Sequence, residues 1–471
     1  MLGSPSRIII SALKGASGKT IISLGLASAW RKRGHKVAPF KKGPDFIDSG
    51  WLAFASARPC HNLDPFMMTD QQILRSFLSN SMDSDVSLIE GNRGLFDGLD
   101  LDGCCSTAEL ARILKAPVIL IVDVTMVTRT VAALVMGCQK FDPQVGIGAV
   151  ILNRVAGPRQ ESLVRNAVEQ YCGIPVVGAI PKLKEDIFPE RHMGLIPHLE
   201  RLYAERAIEG VRTIVEENLD LEALWRLANE AGPIGRDVAL DQKGTGPSPC
   251  LDPLRIGVIR DNAFWFYYPE NVEKLKGLGA EIIEIDSLAE QELPDLDALY
   301  IGGGFPETQA GVLAGNQRFR ASLRREIEKG LPVYAECGGL MYLGESLFVD
   351  GKSFPMVGAF PVEFVLEKRP QGHGYTILEV IHENPYYPLG ELLKGHEFHY
   401  SKPVFLRSEK FTPVFKVRRG RGFDGEGDGL STKNVLATYT HLHAGGYPQW
   451  GESFFRRALE AKASRKLEFL K

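Results

Sequence analysis

Cysteine is scarce in this chain: seven among 471 residues, an odd number, with no C-x-x-C spacing of the kind that zinc ribbons and redox dithiols use. A disulfide-stapled scaffold is thereby excluded, and a reducing, cytoplasmic setting is expected. Long hydrophobic runs are missing too. The apolar run before Lys14 is short, and the later run 116–122 is cut by Asp123. Neither a membrane span nor a signal peptide is expected from runs of that length. No charge of one sign predominates, since 55 Lys and Arg against 58 Asp and Glu leave a formal net charge of −3. Neither a nucleic acid nor a membrane is therefore an expected partner, and small diffusible substrates are. Internal repeats and low-complexity tracts are absent. What remains is a globular balance, 44% hydrophobic and 24% charged, in a chain too long for one core.

The first half alternates β-branched runs with amphipathic stretches. Strands are expected at 7–12, 36–41, 86–89, 118–122, 147–152 and 176–180, which predicts a parallel sheet with helices on both faces. Between Gly232 and Pro253 the periodicity gives way to Gly, Pro, Asp and Ser, including Lys243-Gly244-Thr245-Gly246-Pro247-Ser248-Pro249. The expected organisation is one domain over 1–235, a linker over 236–253 and a second α/β domain over 254–471. Strands at 254–259, 281–285, 298–301 and 332–335 open that second domain, before an irregular, Gly-rich and aromatic final third.

Lys14-Gly15-Ala16-Ser17-Gly18-Lys19-Thr20 follows the first strand and precedes a helix expected over 20–33. The strict phosphate-loop motif fails, because Leu13 stands six residues before Lys19. The variant K-G-G-x-G-K-[ST] fits, with Ala16 in place of its second Gly. In that reading Lys14 is the variant's extra lysine, and Gly15 and Gly18 let backbone N–H groups face phosphate. Lys19 pairs with the outer phosphates of ATP and Thr20 ligates Mg²⁺. Asp45, Glu90 and Asp97 each lie just beyond an expected parallel strand, where open α/β sheets bind ligands. They are expected to converge on one Mg²⁺–phosphate centre. Asn153, at another strand end, suits either a purine edge or a turn.

The second domain carries Tyr334-Ala335-Glu336-Cys337-Gly338-Gly339. A cysteine between a strand and a helix points its sulfur into a cleft, where the following helix's positive end favours the thiolate. His441 is the expected base, and His443 shares its face if that strand is regular. The turn Gly302-Gly303-Gly304 suits oxyanion donors, with Gly338 beside it. His396-Glu397-Phe398-His399-Tyr400-Ser401 offers two histidines to a metal or, alternatively, to substrate or interface contacts.

Taken together, Gly43-Pro44-Asp45-Phe46-Ile47-Asp48, Glu90-Gly91 with Gly94-Leu95-Phe96-Asp97-Gly98, Cys337-Gly338-Gly339 and the 396–401 run resemble the signatures of the cobyrinic acid a,c-diamide synthase family over essentially the whole chain. The resemblance implies a dethiobiotin-synthetase-like ATP-binding domain followed by a class I glutamine amidotransferase domain. It implies ATP- and glutamine-dependent amidation of tetrapyrrole carboxylates through an acyl phosphate. Cys337 would then attack glutamine with help from His441, while Asp45, Asp48, Glu90 and Asp97 would serve metal and substrate activation. Lys14, Asn92-Arg93 and the ending His443-Ala444-Gly445-Gly446-Tyr447-Pro448-Gln449-Trp450 look closer to the branch that amidates sirohaem or nickel-sirohydrochlorin. A homodimer stays open, in which Lys14 would reach phosphate across subunits. The competing class is a regulatory phosphate-loop ATPase, which would need neither Cys337 nor His441.

Overall fold

The computed structural model describes residues 4–183, 190–191, 194–195, 201–234, 253–406 and 412–469. Residues 1–241 and 242–471 form two compact units. The expected linker 236–253 lies outside the described residues except for Pro253. No described helix is long and apolar enough to cross a membrane.

In the first unit seven strands run β1 (Arg7–Ala12), β2 (Val37–Lys42), β3 (His61–Leu63), β4 (Val86–Glu90), β5 (Val118–Asp123), β6 (Ile147–Val155) and β7 (Val176–Pro181). They form one sheet in the order β3-β2-β4-β1-β5-β6-β7, every pairing parallel. Strands buried on both faces have no reason to alternate polar and apolar residues. Accordingly β1, β2 and β4 are buried throughout. The flanking helices α1 (Lys19–Lys32), α2 (Phe46–Ser56), α3 (Asp70–Ser81) and α4 (Thr107–Leu114) begin where the sequence places caps. Asp45, Thr69 and Ser106 each accept a backbone N–H from the residue three positions on. The exception is α1, whose N-cap Gly18 is left-handed at φ 94° and caps with no side chain, leaving the first N–H groups free for an anion. Ile8, Ile10, Leu24, Trp30 and Trp51 anchor one core beneath α1 and α2. Burying each aliphatic side chain there contributes roughly 1.5–3 kcal/mol.

In the second unit six strands pair in the order Ala280–Ile285, Leu254–Ile259, Ala298–Ile301, Val333–Glu336, Val435–Thr438, Leu430–Thr432. All are parallel except the last pair. The final third is far more regular than its composition suggests. Its short strands build a four-stranded and a five-stranded sheet, the latter including Gly372–Val380, Leu392–His399 and His441–Leu442. His441 is therefore not on the strand that ends at Thr438. The chain leaves the parallel sheet and pairs His441 with His396.

Candidate functional site

The phosphate loop turns through a left-handed Ala16, at φ 55°, and Gly18. A Cβ on Gly18 would stand 2.5 Å from Asn153 Nδ2, and that amide donates to the Ser17 carbonyl at 2.8 Å. Asn153 Oδ1 accepts from Arg154 N at 2.9 Å. Each end of the amide thus makes one bond within the protein, and Asn153 braces the loop. Lys14 is exposed and lies 3.9 Å from Asp123. Lys19 donates to the carbonyls of Arg93, at 2.7 Å, and Lys14. It thereby ties the loop after β1 to the loop after β4. Burial holds the Lys19 ammonium below its ordinary range, against the opposing pull of Glu90, Asp48 and Asp97.

Thr20 donates to Glu90 Oε1 at 2.9 Å. The same oxygen accepts from Lys41 at 2.8 Å, and Lys41 also reaches Asp48 at 2.5 Å. Lys41 and Glu90 are 2% and 0% exposed, so this is an ion pair inside the protein. Burial works against the lysine's charge, but Asp48, Glu90 and Asp45 hold its ammonium above the ordinary lysine range. Burial and Asp48 push the Asp45 carboxyl up to about 7. Glu90 shifts upward as well, by burial.

The expected convergence of Asp45, Glu90 and Asp97 needs correction. Asp45 caps α2 through the Asp48 N–H at 2.7 Å, and Asp97 accepts from Gly94 N at 2.8 Å. Among the described residues, the acids Asp45, Asp48, Glu90 and Asp97 form no group of three whose ligating oxygens lie within 4.8 Å of one another. The physical reason is Lys41, an ammonium already present where a cluster of acids would otherwise need a metal. Sequence reasoning placed it at the end of the strand expected over 36–41 and gave it no role. The parallel register that sets Lys41 opposite Glu90 was the missing information. Thr20 and Glu90 still suit Mg²⁺, because Glu90 Oε2 is buried with no hydrogen-bond partner among the described residues.

Cys337 sits at the end of Val333–Glu336, at φ 47° and ψ −98°, and caps the helix Gly338–Leu343. A non-glycine residue there is strained, and the turn holds the sulfur out of the sheet. Its N–H donates to the Thr438 carbonyl at 2.8 Å, and Sγ lies 3.6 Å from the Phe398 carbonyl. Burial, with Glu307 nearby, pushes the thiol up. The expected glycines converge here. A Cβ on Gly303 would lie 2.5 Å from His441 Cε1, and one on Gly338 would lie 3.1 Å from Gly304 N.

His441 Nδ1 lies 3.2 Å from Glu336 Oε2. Tyr300 donates to the same carboxylate oxygen at 3.0 Å, and Leu442 N to the other at 3.1 Å. Glu336 is thus fixed from three sides. It was not among the sequence candidates, although it precedes Cys337 directly; Glu336 pairs with Thr438, and it meets His441 only because the chain turns out of that sheet after Thr438. His443 takes a different partner, Glu270, at 3.4 Å. In the 396–401 run His399 stacks on Tyr439, ring centroids 3.6 Å apart. Glu397 accepts from the Arg421 and Gly422 N–H groups. These contacts lock a turn, whereas His396 stacks 6.1 Å from His441.

Comparison with known proteins matches both units. Residues 8–196 match the CobQ/CobB/MinD/ParA nucleotide binding domain, and residues 255–448 match the CobB/CobQ-like glutamine amidotransferase domain. The cobyrinate a,c-diamide synthase of Magnetococcus marinus is 44% identical, over 94% of this chain and 95% of that one. That of Archaeoglobus fulgidus is 40% identical over 97% and 98%. That of Methanothermobacter thermautotrophicus is 39% identical over 96% and 100%.

Proposed function

The chain belongs to the cobyrinate a,c-diamide synthase family of glutamine-dependent amide ligases, and from that premise we propose that it amidates the a and c side-chain carboxylates of cobyrinate with ammonia from glutamine. The observation that carries the nitrogen half is the elbow cysteine with a histidine held by a buried carboxylate. Cys337 Sγ attacks the carboxamide carbon of glutamine as His441 takes the thiol proton. The backbone at Gly303, Gly304 and Gly338 faces the developing oxyanion. His441 returns the proton to the departing nitrogen, which leaves as ammonia. Water then cleaves the thioester to release glutamate and restore the thiol. A neutral, buried thiol is suited to this order, since its proton moves only when attack begins. Glu336 accepts the Nδ1–H of His441, leaving Nε2 as the base; it is a positioning residue.

For the carbon half, ATP phosphorylates the tetrapyrrole carboxylate, giving an acyl phosphate and ADP, and ammonia displaces phosphate to leave the amide. Lys19 and the N–H groups at Gly15 and Gly18 bind the phosphates. Thr20 and Glu90 would hold Mg²⁺, which supplies charge neutralisation for the transferring phosphoryl group. Lys41 holds Asp48 and Glu90 in place, and Asp97 holds the Gly94 turn.

The test is purified enzyme with cobyrinate, ATP and either glutamine or ammonium, read by product mass. Two successive amidations with either donor in the wild type, and with ammonium alone in Cys337→Ala, are expected. No mass change on cobyrinate, with turnover of a sirohydrochlorin-type ring instead, would move the substrate to the other branch.

A further inference from the structure

One loop of the first unit carries reactive groups that the amidation chemistry leaves unused. Cys104 and Cys105 place their sulfurs 3.2 Å apart. With a carboxylate oxygen of Glu109, their ligating atoms all lie within 4.8 Å of one another. Among the described residues this is the one such group of three.

The loop is built to hold the three donors. Leu99 N donates to the Cys104 carbonyl at 2.8 Å, and Ser106 N to the Gly103 carbonyl at 3.1 Å. Cys104 N donates to Asp100 Oδ1 at 2.9 Å. Cys105 adopts a left-handed φ of 62°, which turns successive side chains toward one side. Glu109 is fixed twice, its backbone N–H donating to Ser106 Oγ and its carboxylate accepting from Cys105 N. Cys105 is buried while Cys104 is exposed, so a bound ion keeps a side open to solvent.

We propose that Cys104, Cys105 and Glu109 form a site for a thiophilic divalent cation of the zinc and cadmium class, with water completing the coordination. Two thiolates and one carboxylate are a soft-leaning donor set, favouring such ions over Mg²⁺. Zn–S bonds of about 2.3 Å put two thiolates on a tetrahedral ion roughly 3.8 Å apart. The exposed Cys104 needs to swing outward by only about half an ångström to reach that spacing. The ion would clamp the segment that follows Asp97. Ala108 N donates to the Leu95 carbonyl at 2.9 Å, and a Cβ on Gly98 would stand 2.5 Å from the Cys104 carbonyl, so the dithiol turn and the Gly94–Gly98 turn move together.

The experiment is titration of the reduced, full-length protein with Cd²⁺ alone, following the ultraviolet thiolate-to-cadmium charge-transfer band. One equivalent is expected to bind with a band that Cys104→Ser weakens at least tenfold in affinity, and that Glu109→Gln weakens severalfold. Cys138→Ser should leave the titration unchanged. Cys104→Ser alters an exposed side chain, so its thermal midpoint should stay at the wild-type value and rule out misfolding. Phenylarsine oxide, which needs two adjacent thiols, should be captured by the wild type and not by Cys104→Ser. A Cys104→Ser protein that binds Cd²⁺ like the wild type, or a wild type without the charge-transfer band at equimolar ion, overturns the site.

Discussion

Glu336 and Lys41 are the two side chains that most change the picture of this protein, and both act by charge in places water does not reach. Glu336→Gln preserves shape but offers His441 Nδ1 a poorer acceptor. It should lower glutaminase kcat by about 10²-fold with little change in KM, while ammonium-supported synthesis stays intact. Glu336→Asp should recover part of the loss; equal effects on both nitrogen donors would assign Glu336 to the fold alone. Lys41→Ala leaves the buried Glu90 and the half-buried Asp48 without their cation. Denaturant unfolding of that variant should show a loss of about 3–5 kcal/mol, and a loss under about 1 kcal/mol would mean water already reaches the pair. Cys337 and Lys19 stood out in the sequence through the glycine-rich turns beside them, and His441 as one of two alternating histidines after an expected strand. Glu336 and Lys41 did not, because the partner of Lys41 is fixed by pairing across the sheet and that of Glu336 by the path of the chain after Thr438.

Elements were most readable where the sheet is parallel. Continuous β-branched runs mark β1, β5 and β6, which differ from the expected strands by a few terminal residues at most, whereas the three-residue β3 was missed. The final third hid its strands because they are mostly short and antiparallel, and are broken by glycines such as Gly372, Gly374 and Gly395. Gly372 and Gly395 are required by close approach: a Cβ would stand 2.3 Å from His399 Nε2 at the first and 2.4 Å from the His441 carbonyl at the second. The same crowding yields a test at the elbow. Gly303→Ala would push a methyl into His441 Cε1 and should reduce glutaminase activity more than tenfold with the secondary structure unchanged by circular dichroism. Wild-type turnover would show that His441 has room to retreat.

For the molecule as a whole, the two units divide the labour, and each has its own sensitivity. Lys19→Ala should abolish amidation from glutamine and from ammonium alike while glutamine hydrolysis survives; ammonium-dependent product from that variant would remove Lys19 from the activation step. The second unit should also lose stability with rising pH. Burial holds the Glu307 carboxyl up at about 7, against an ordinary 4.5. The folded state therefore takes the proton more readily than the unfolded chain. That contribution is full below about 4.5 and is lost as pH rises through about 7. Glu307→Gln should flatten this fall by about 1–3 kcal/mol in urea titrations at a series of pH values, and an unchanged pH profile would count against it. Finally, in the proposed chemistry the acid that would steer the base is the covalent neighbour of the nucleophile. Insertion, recombination or loop exchange elsewhere in the chain leaves the two together. A graft of residues 333–339 onto another parallel sheet would carry both sulfur and carboxylate in register, leaving a single imidazole for the recipient to supply.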